Sequence, residues 1–254
     1  MYSITHYLLF FLIGFLTLSN WPISLATRYG ADITWAYLAC IGLRLLYILY
    51  AIYIMRKARV NIKRWIFDKP KKYFLLLIPF ALFCLGNLSM LVFGSWVAIE
   101  PDSTSLIIRI ILAIVGAAVE EIIYHFFVIR LLGRFSIPKT ILIISGIYSL
   151  GYLFSFNINN ILLSIVQIAL AFGFSYMLAT SYFIAQEQVI YSFSLSVIYH
   201  VVNEILGSCF LFYINEILIY VIPLVIALMM FLYSFFAYRY YDKHFRERFW
   251  FSIN

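Results

Sequence analysis

The stretch Leu106–Leu132, LIIRIILAIVGAAVEEIIYHFFVIRLL, decides how the rest of the chain is read. Its length of about 27 residues exceeds the roughly 20 that a helix needs to cross a bilayer, so Glu120 and Glu121 fall near mid-membrane. An ionised side chain at that depth costs about 2.5 kcal/mol or more, and two neighbours also repel. A chain that keeps both must give them partners, water or chemistry to perform.

The composition agrees with a membrane setting. The chain has 254 residues, 65% of them hydrophobic and 11% charged, with a mean hydropathy of +0.98. A soluble domain of this size needs far more polar surface. The net charge of +7 does not point to nucleic acid, because Lys and Arg cluster beside the apolar runs. That placement reads as membrane orientation and contact with anionic lipid. Cys40, Cys84 and Cys209 fall inside separate apolar runs and form no metal-type spacing or disulfide framework. The N-terminal run has no Lys or Arg before it and no small-residue cleavage pattern, so it reads as a first span that stays in place.

Apolar runs separated by polar, Pro or Asn breaks predict an all-α fold, a polytopic membrane helix bundle of about eight transmembrane helices. The predicted spans are 5–26, 32–55, 73–99, 106–132, 137–157, 160–184, 189–212 and 217–241. They form one membrane domain, 1–254, with N-terminal spans in 1–99, a motif-bearing core in 100–215, and a last span and basic tail in 216–254. Segment 56–72 carries eight basic residues and only Asp68, which marks it cytoplasmic. Alternation then puts every basic cluster on that side, with both termini cytoplasmic. Trp65, Phe67 and the aromatic tail suit headgroup-level anchoring.

Helix rise converts these spans into depths. Glu120 lies about 18 Å from the inner end of its span, His200 about 17 Å, Arg44 about the same, and Tyr152 roughly 22 Å. These groups are predicted to share one layer. Glu121 faces His125 one turn on, Glu120 faces Tyr124, and His200 faces Glu204 with Asn203 beside it. A carboxylate beside an imidazole suits general base chemistry, and a neighbouring donor can hold a developing oxyanion. Plainer roles stand beside this reading: Glu121 as the ion-pair partner of Arg44, His200 and Tyr152 as packing residues, and Arg109 reaching outward to Glu100 and Asp102.

These residues also resemble a known pattern. VEEIIYHFFVIRLL supplies Glu120 and Glu121, IYSLGYLF supplies Tyr148 and Tyr152, and YHVVNEIL supplies His200, Asn203 and Glu204. The chain thereby resembles the CAAX-protease and bacteriocin-processing (CPBP, or Abi) family of intramembrane peptidases. Its pattern is Glu-Glu-x-x-x-Arg, then Phe-x-x-x-His, then His-x-x-x-Asn or Asp. Here His125 stands at the Arg position, Tyr148 and Tyr152 at the Phe and His positions, and Glu204 at the last, with Asn203 one place early. The resemblance covers the C-terminal half in motif and the N-terminal spans in topology only.

The resemblance implies a bacterial plasma-membrane peptidase acting on peptides or membrane proteins, with Glu120 activating water and His200 holding the oxyanion. A variant has Glu121, His125, His200 and Glu204 binding a divalent metal such as zinc. The substitutions at 125, 152 and 204 motivate a second reading, a non-catalytic member that binds peptides or partner membrane proteins in bacteriocin immunity or processing. A proton-coupled carrier is the third, with no broken helices predicted to support it.

Overall fold

The computed structural model describes residues 4–18, 20–57, 60, 78, 81, 92, 95–98, 103–132, 135–151, 160–185, 189–213 and 216–245. These are almost entirely helical. The helices are α1 (Ile4–Leu18), α2 (Trp21–Tyr29), α3 (Ile33–Lys57), α4 (Ser103–Glu121), α5 (Ile129–Leu131), α6 (Ile137–Gly151), α7 (Ile161–Ile184), α8 (Val189–Cys209) and α9 (Glu216–Phe245). A π-helical segment, Ile122–Val128, joins α4 to α5. Two short strands, β1 (Ser95–Ala98) and β2 (Phe210–Tyr213), pair with each other. These strands fall in the last residues of the predicted spans 73–99 and 189–212, where helix was expected. The rest of the 73–99 span lies mostly outside the described residues.

Among the described residues, five stretches are long and apolar enough to cross a membrane: Leu8–Tyr29, Ile33–Lys57, Ile161–Ile184, Val189–Cys209 and Ile217–Lys243. Leu46 and Leu49 on α3 and Leu228 on α9 are largely exposed, as lipid-facing side chains are. The protein is therefore a multi-pass membrane protein.

The chain divides into two compact units that are discontinuous in sequence. The first comprises Met1–Asp68, Trp96–Leu131 and Phe193–Phe212, and the second Lys69–Ser95, Leu132–Ser192 and Tyr213–Asn254. In the first, α3 packs on α2 and α4, and α1 packs on α3, α4 and the π segment. Gly14 makes the α1 contact possible, since a Cβ there would sit 2.6 Å from both the Ile123 side chain and the Tyr47 hydroxyl. Phe10 stacks on Phe127 with ring centroids 5.0 Å apart, adding aromatic contact to apolar burial. All seven π-segment side chains are buried, so this stretch is enclosed on every side.

The expected single helix over 5–26 is broken. Asn20 adopts a left-handed conformation (φ 51°), and Pro22 opens α2. The cause is Pro22, which has no N–H for Leu18 O and whose ring would clash with that carbonyl in a continuous helix, but which suits a helix's first turn. Gly30, also left-handed, closes α2, and the Asp32 carboxylate accepts from Thr34 N (2.8 Å) to start α3.

In the second unit α7 packs against both α6 and α9. Gly173 meets Ala227, and Ile184 clusters with Ala237 and Tyr241, so α7 and α9 run parallel. A Cβ at Gly173 would lie 2.6 Å from the Ala227 carbonyl oxygen, which shows how closely the backbones approach. Small residues at such contacts are how helices gain packing energy in lipid, where no hydrophobic drive joins them.

Candidate functional site

The polar groups of interest gather in the first unit, around the end of α4. Successive residues of a helix point about 100° apart, so Glu120 and Glu121 face different neighbours. Glu121 turns inward. Its Oε2 lies 2.5 Å from Nδ1 of His125, and the two side chains are 3% and 4% exposed. Glu120 turns toward α8. Its Oε2 accepts from His200 Nε2 at 3.1 Å and from Ser196 Oγ at 3.3 Å. Glu120 and His200 are 15% and 25% exposed, so this second pair is less enclosed than the first.

Ser196, His200, Glu204 and Ser208 recur every four residues, which lines them along one face of α8. Toward the other end of that stripe, Arg109 Nε donates to Glu204 Oε2 at 2.9 Å, and its Nη2 to Ser208 Oγ. Arg109 and Glu120 are eleven residues apart, close to three full turns, so both lie on one face of α4. The α4–α8 seam is thus joined at two levels by side chains, and α8 does not pack closely on α4 through its backbone.

Arg44 on α3 is buried. Its Nη1 donates to Leu112 O (2.9 Å), its Nη2 to Asn20 Oδ1 (2.7 Å) and Leu18 O (3.4 Å), and its Nε to Thr17 O (3.3 Å). The Leu112 carbonyl that it binds lies two turns before Glu120 on α4.

Several expectations change. The alternative in which Arg44 pairs with Glu121 does not hold, because Arg44 spends its hydrogen bonds on carbonyls and Asn20 while Glu121 engages His125. Glu100 and Asp102, the expected partners of Arg109, lie outside the described residues; among the described residues Arg109 binds Glu204. Glu204 therefore leaves its helical neighbour His200 for a partner on α4. Asn203 is exposed and lies off the polar stripe. Tyr152 lies outside the described residues. Tyr148 is buried in the second unit, its ring edge-on to Phe174 at 6.5 Å. The four candidate zinc ligands divide among a Glu121–His125 pair, the Glu120–His200 pair and the Arg109–Glu204 bridge. Among the described residues no three His, Cys, Asp or Glu side chains gather to hold a metal.

Ser196, Ser208 and Gly116 were missed by sequence reasoning. The serines carried a usable signal, their four-residue spacing from His200 and Glu204. Gly116 carried none, since an isolated glycine in an apolar helix has many explanations. Comparison of the chain with models of known protein families, with curated proteins and with solved structures finds no significant match.

Proposed function

We propose that the protein is an intramembrane peptidase of the CAAX-protease and bacteriocin-processing type, with Glu120 as general base. One observation carries this reading: the 3.1 Å contact between Glu120 and His200, across two helices and partly open to approach. In the proposed reaction, Glu120 takes a proton from water as its oxygen bonds to the peptide carbonyl carbon. As Glu120 takes up the proton, the His200 Nε2–H it had held turns to the oxyanion and steadies it. Collapse breaks the C–N bond, and the proton on Glu120 passes to the departing amine.

The finer topology belongs to the same reading: eight crossings of a bacterial plasma membrane with both termini cytoplasmic. Pairing of β1 with β2 supports it, because residues 98 and 210 then share a face and an even number of crossings lies between them. The parallel α7 and α9 support it too, because two helices that cross in the same direction need an odd number of crossings between them.

The test compares membranes from cells carrying the wild-type chain, Glu120→Gln or His200→Ala at equal protein level. Mass spectrometry of peptide termini is expected to find cleavage products that vanish in both variants. Identical products in all three would sink hydrolysis. A second reading, a non-catalytic peptide-binding member, is favoured by Tyr152 at the imidazole position and by Glu204 being held by Arg109. It is the reading that remains if the variants leave both products and phenotype unchanged.

A further inference from the structure

The broken first span leaves α1 with carbonyls that no following turn can satisfy, a costly state inside a membrane. Arg44 answers this, since its guanidinium donates to Thr17 O, Leu18 O and Asn20 Oδ1 at the exposed end of α1. A helix C-terminus favours a cation, so the position is electrostatically apt as well. The same guanidinium then does something a cap does not require. It crosses to α4 and donates to Leu112 O, two turns before Glu120.

That crossing needs space on α4. A Cβ at Gly116 would lie 2.7 Å from Arg44 Nη1, closer than side-chain carbons approach other atoms. Any larger residue there displaces a group already pinned by four hydrogen bonds. Gly116 falls midway between the Leu112 carbonyl and Glu120, one turn from each, so the hollow is cut directly beside the working carboxylate.

We propose that Arg44, seated in the hollow at Gly116, is a positioning residue for the Glu120–His200 pair: it locks the broken first span to α4 and fixes a positive charge beside the pair. The charge is permanent, because a guanidinium stays protonated in proteins. Among the described residues, Cys40, one turn away on α3, and Glu120, one turn beyond Gly116 on α4, are titratable groups near it. A hydrolytic site gains from such a charge when negative charge develops on the substrate. The functional meaning rests on the hydrolase reading above; the physical link between Arg44 and Glu120 does not.

A double-mutant cycle separates positioning from simple capping. Thermal midpoints of the purified full-length protein in detergent are measured for Arg44→Gln, Glu120→Gln and the double variant, with Arg44→Gln and Glu121→Gln as the parallel cycle. Arg44 acting only as the cap of α1 gives additive shifts with Glu120→Gln. Positioning gives non-additivity of about 2–4 °C, larger than in the parallel cycle. The cycle repeated in a Gly116→Ala background, which keeps the charge but displaces it, is expected to lose half or more of that coupling. Should Arg44→Gln not fold, Arg44→Lys takes its place in the cycle. Additivity within about 1 °C, or coupling untouched by Gly116→Ala, overturns the proposal. Coupling in a protein that yields no cleavage product would leave Arg44 a positioning residue and sink hydrolysis instead.

Discussion

Two carboxylate–imidazole pairs sit side by side in this protein, and they differ in almost every physical respect. Glu121–His125 lies within one helical turn, sealed from approach. Glu120–His200 joins residues eighty apart in sequence and keeps a quarter of the imidazole exposed. Adjacent residues are thus given opposite environments by 100° of helix rotation. A sealed pair suits holding a fold together, and an open pair between helices suits chemistry. On the proposed reading, Glu121 holds the fold and Glu120 is the reactive carboxylate.

The largest effect expected to break or confirm that contrast is on turnover. Glu120→Gln keeps the shape and its hydrogen bonds but removes the base, and should lower release of cleavage product by about 10²–10⁴-fold. The thermal midpoint should move little. If Glu121→Gln abolishes product while Glu120→Gln does not, the assignment is reversed.

Next comes stability. His125→Leu leaves Glu121 buried without its imidazole, and stranding one member of a buried pair costs about 3–5 kcal/mol. Denaturation of the purified protein in detergent should show this as a large drop. Replacing both members by apolar residues, Glu121→Leu with His125→Leu, should recover much of the loss, because no stranded charge remains. A double variant worse than either single would mean that the pair does more than fill its enclosure.

How much of this was legible beforehand follows from what each feature depends on. Rise per residue is nearly constant, so depth alone brought Glu120 and His200 to one level of the membrane, and they meet at 3.1 Å. The i to i+4 rule likewise marked Glu121 with His125. Partner choice across helices was not legible. Arg109 and Glu204 are ninety-five residues apart, and nothing local says that α4 and α8 share a seam. The break at Asn20 is an intermediate case. Pro22 stood in plain view, but the apolar run on both sides outweighed it in a hydropathy reading. The π segment had no such marker, although its run of β-branched and aromatic residues crowds a normal α-turn.

A smaller effect is expected at the second level of the seam. Arg109 and Glu204 are partly exposed, so their bridge is worth about 0.2–1 kcal/mol. Arg109→Glu and Glu204→Arg should each lower the thermal midpoint by a few degrees, and the double reversal should restore most of it. Restoration of stability with loss of turnover would tie the bridge to the site. Restoration of both would leave it a strut between α4 and α8.

The most discriminating substitution, which removes a single oxygen atom, is Ser196→Ala. Ser196 gives Glu120 Oε2 its second hydrogen bond, at 3.3 Å against 3.1 Å from His200. A hydroxyl bond to a charged oxygen is worth about 1.5 kcal/mol, so its loss should slow turnover by roughly tenfold with little change in stability. The informative comparison is with His200→Ala. Two donors on one oxygen act as a unit, so the double variant should fall well short of the product of the single losses. Independent effects would mean that Ser196 serves the helix and not the carboxylate. Glu120 would then be oriented by His200 alone, and the open pair would be less preorganised than its sealed neighbour.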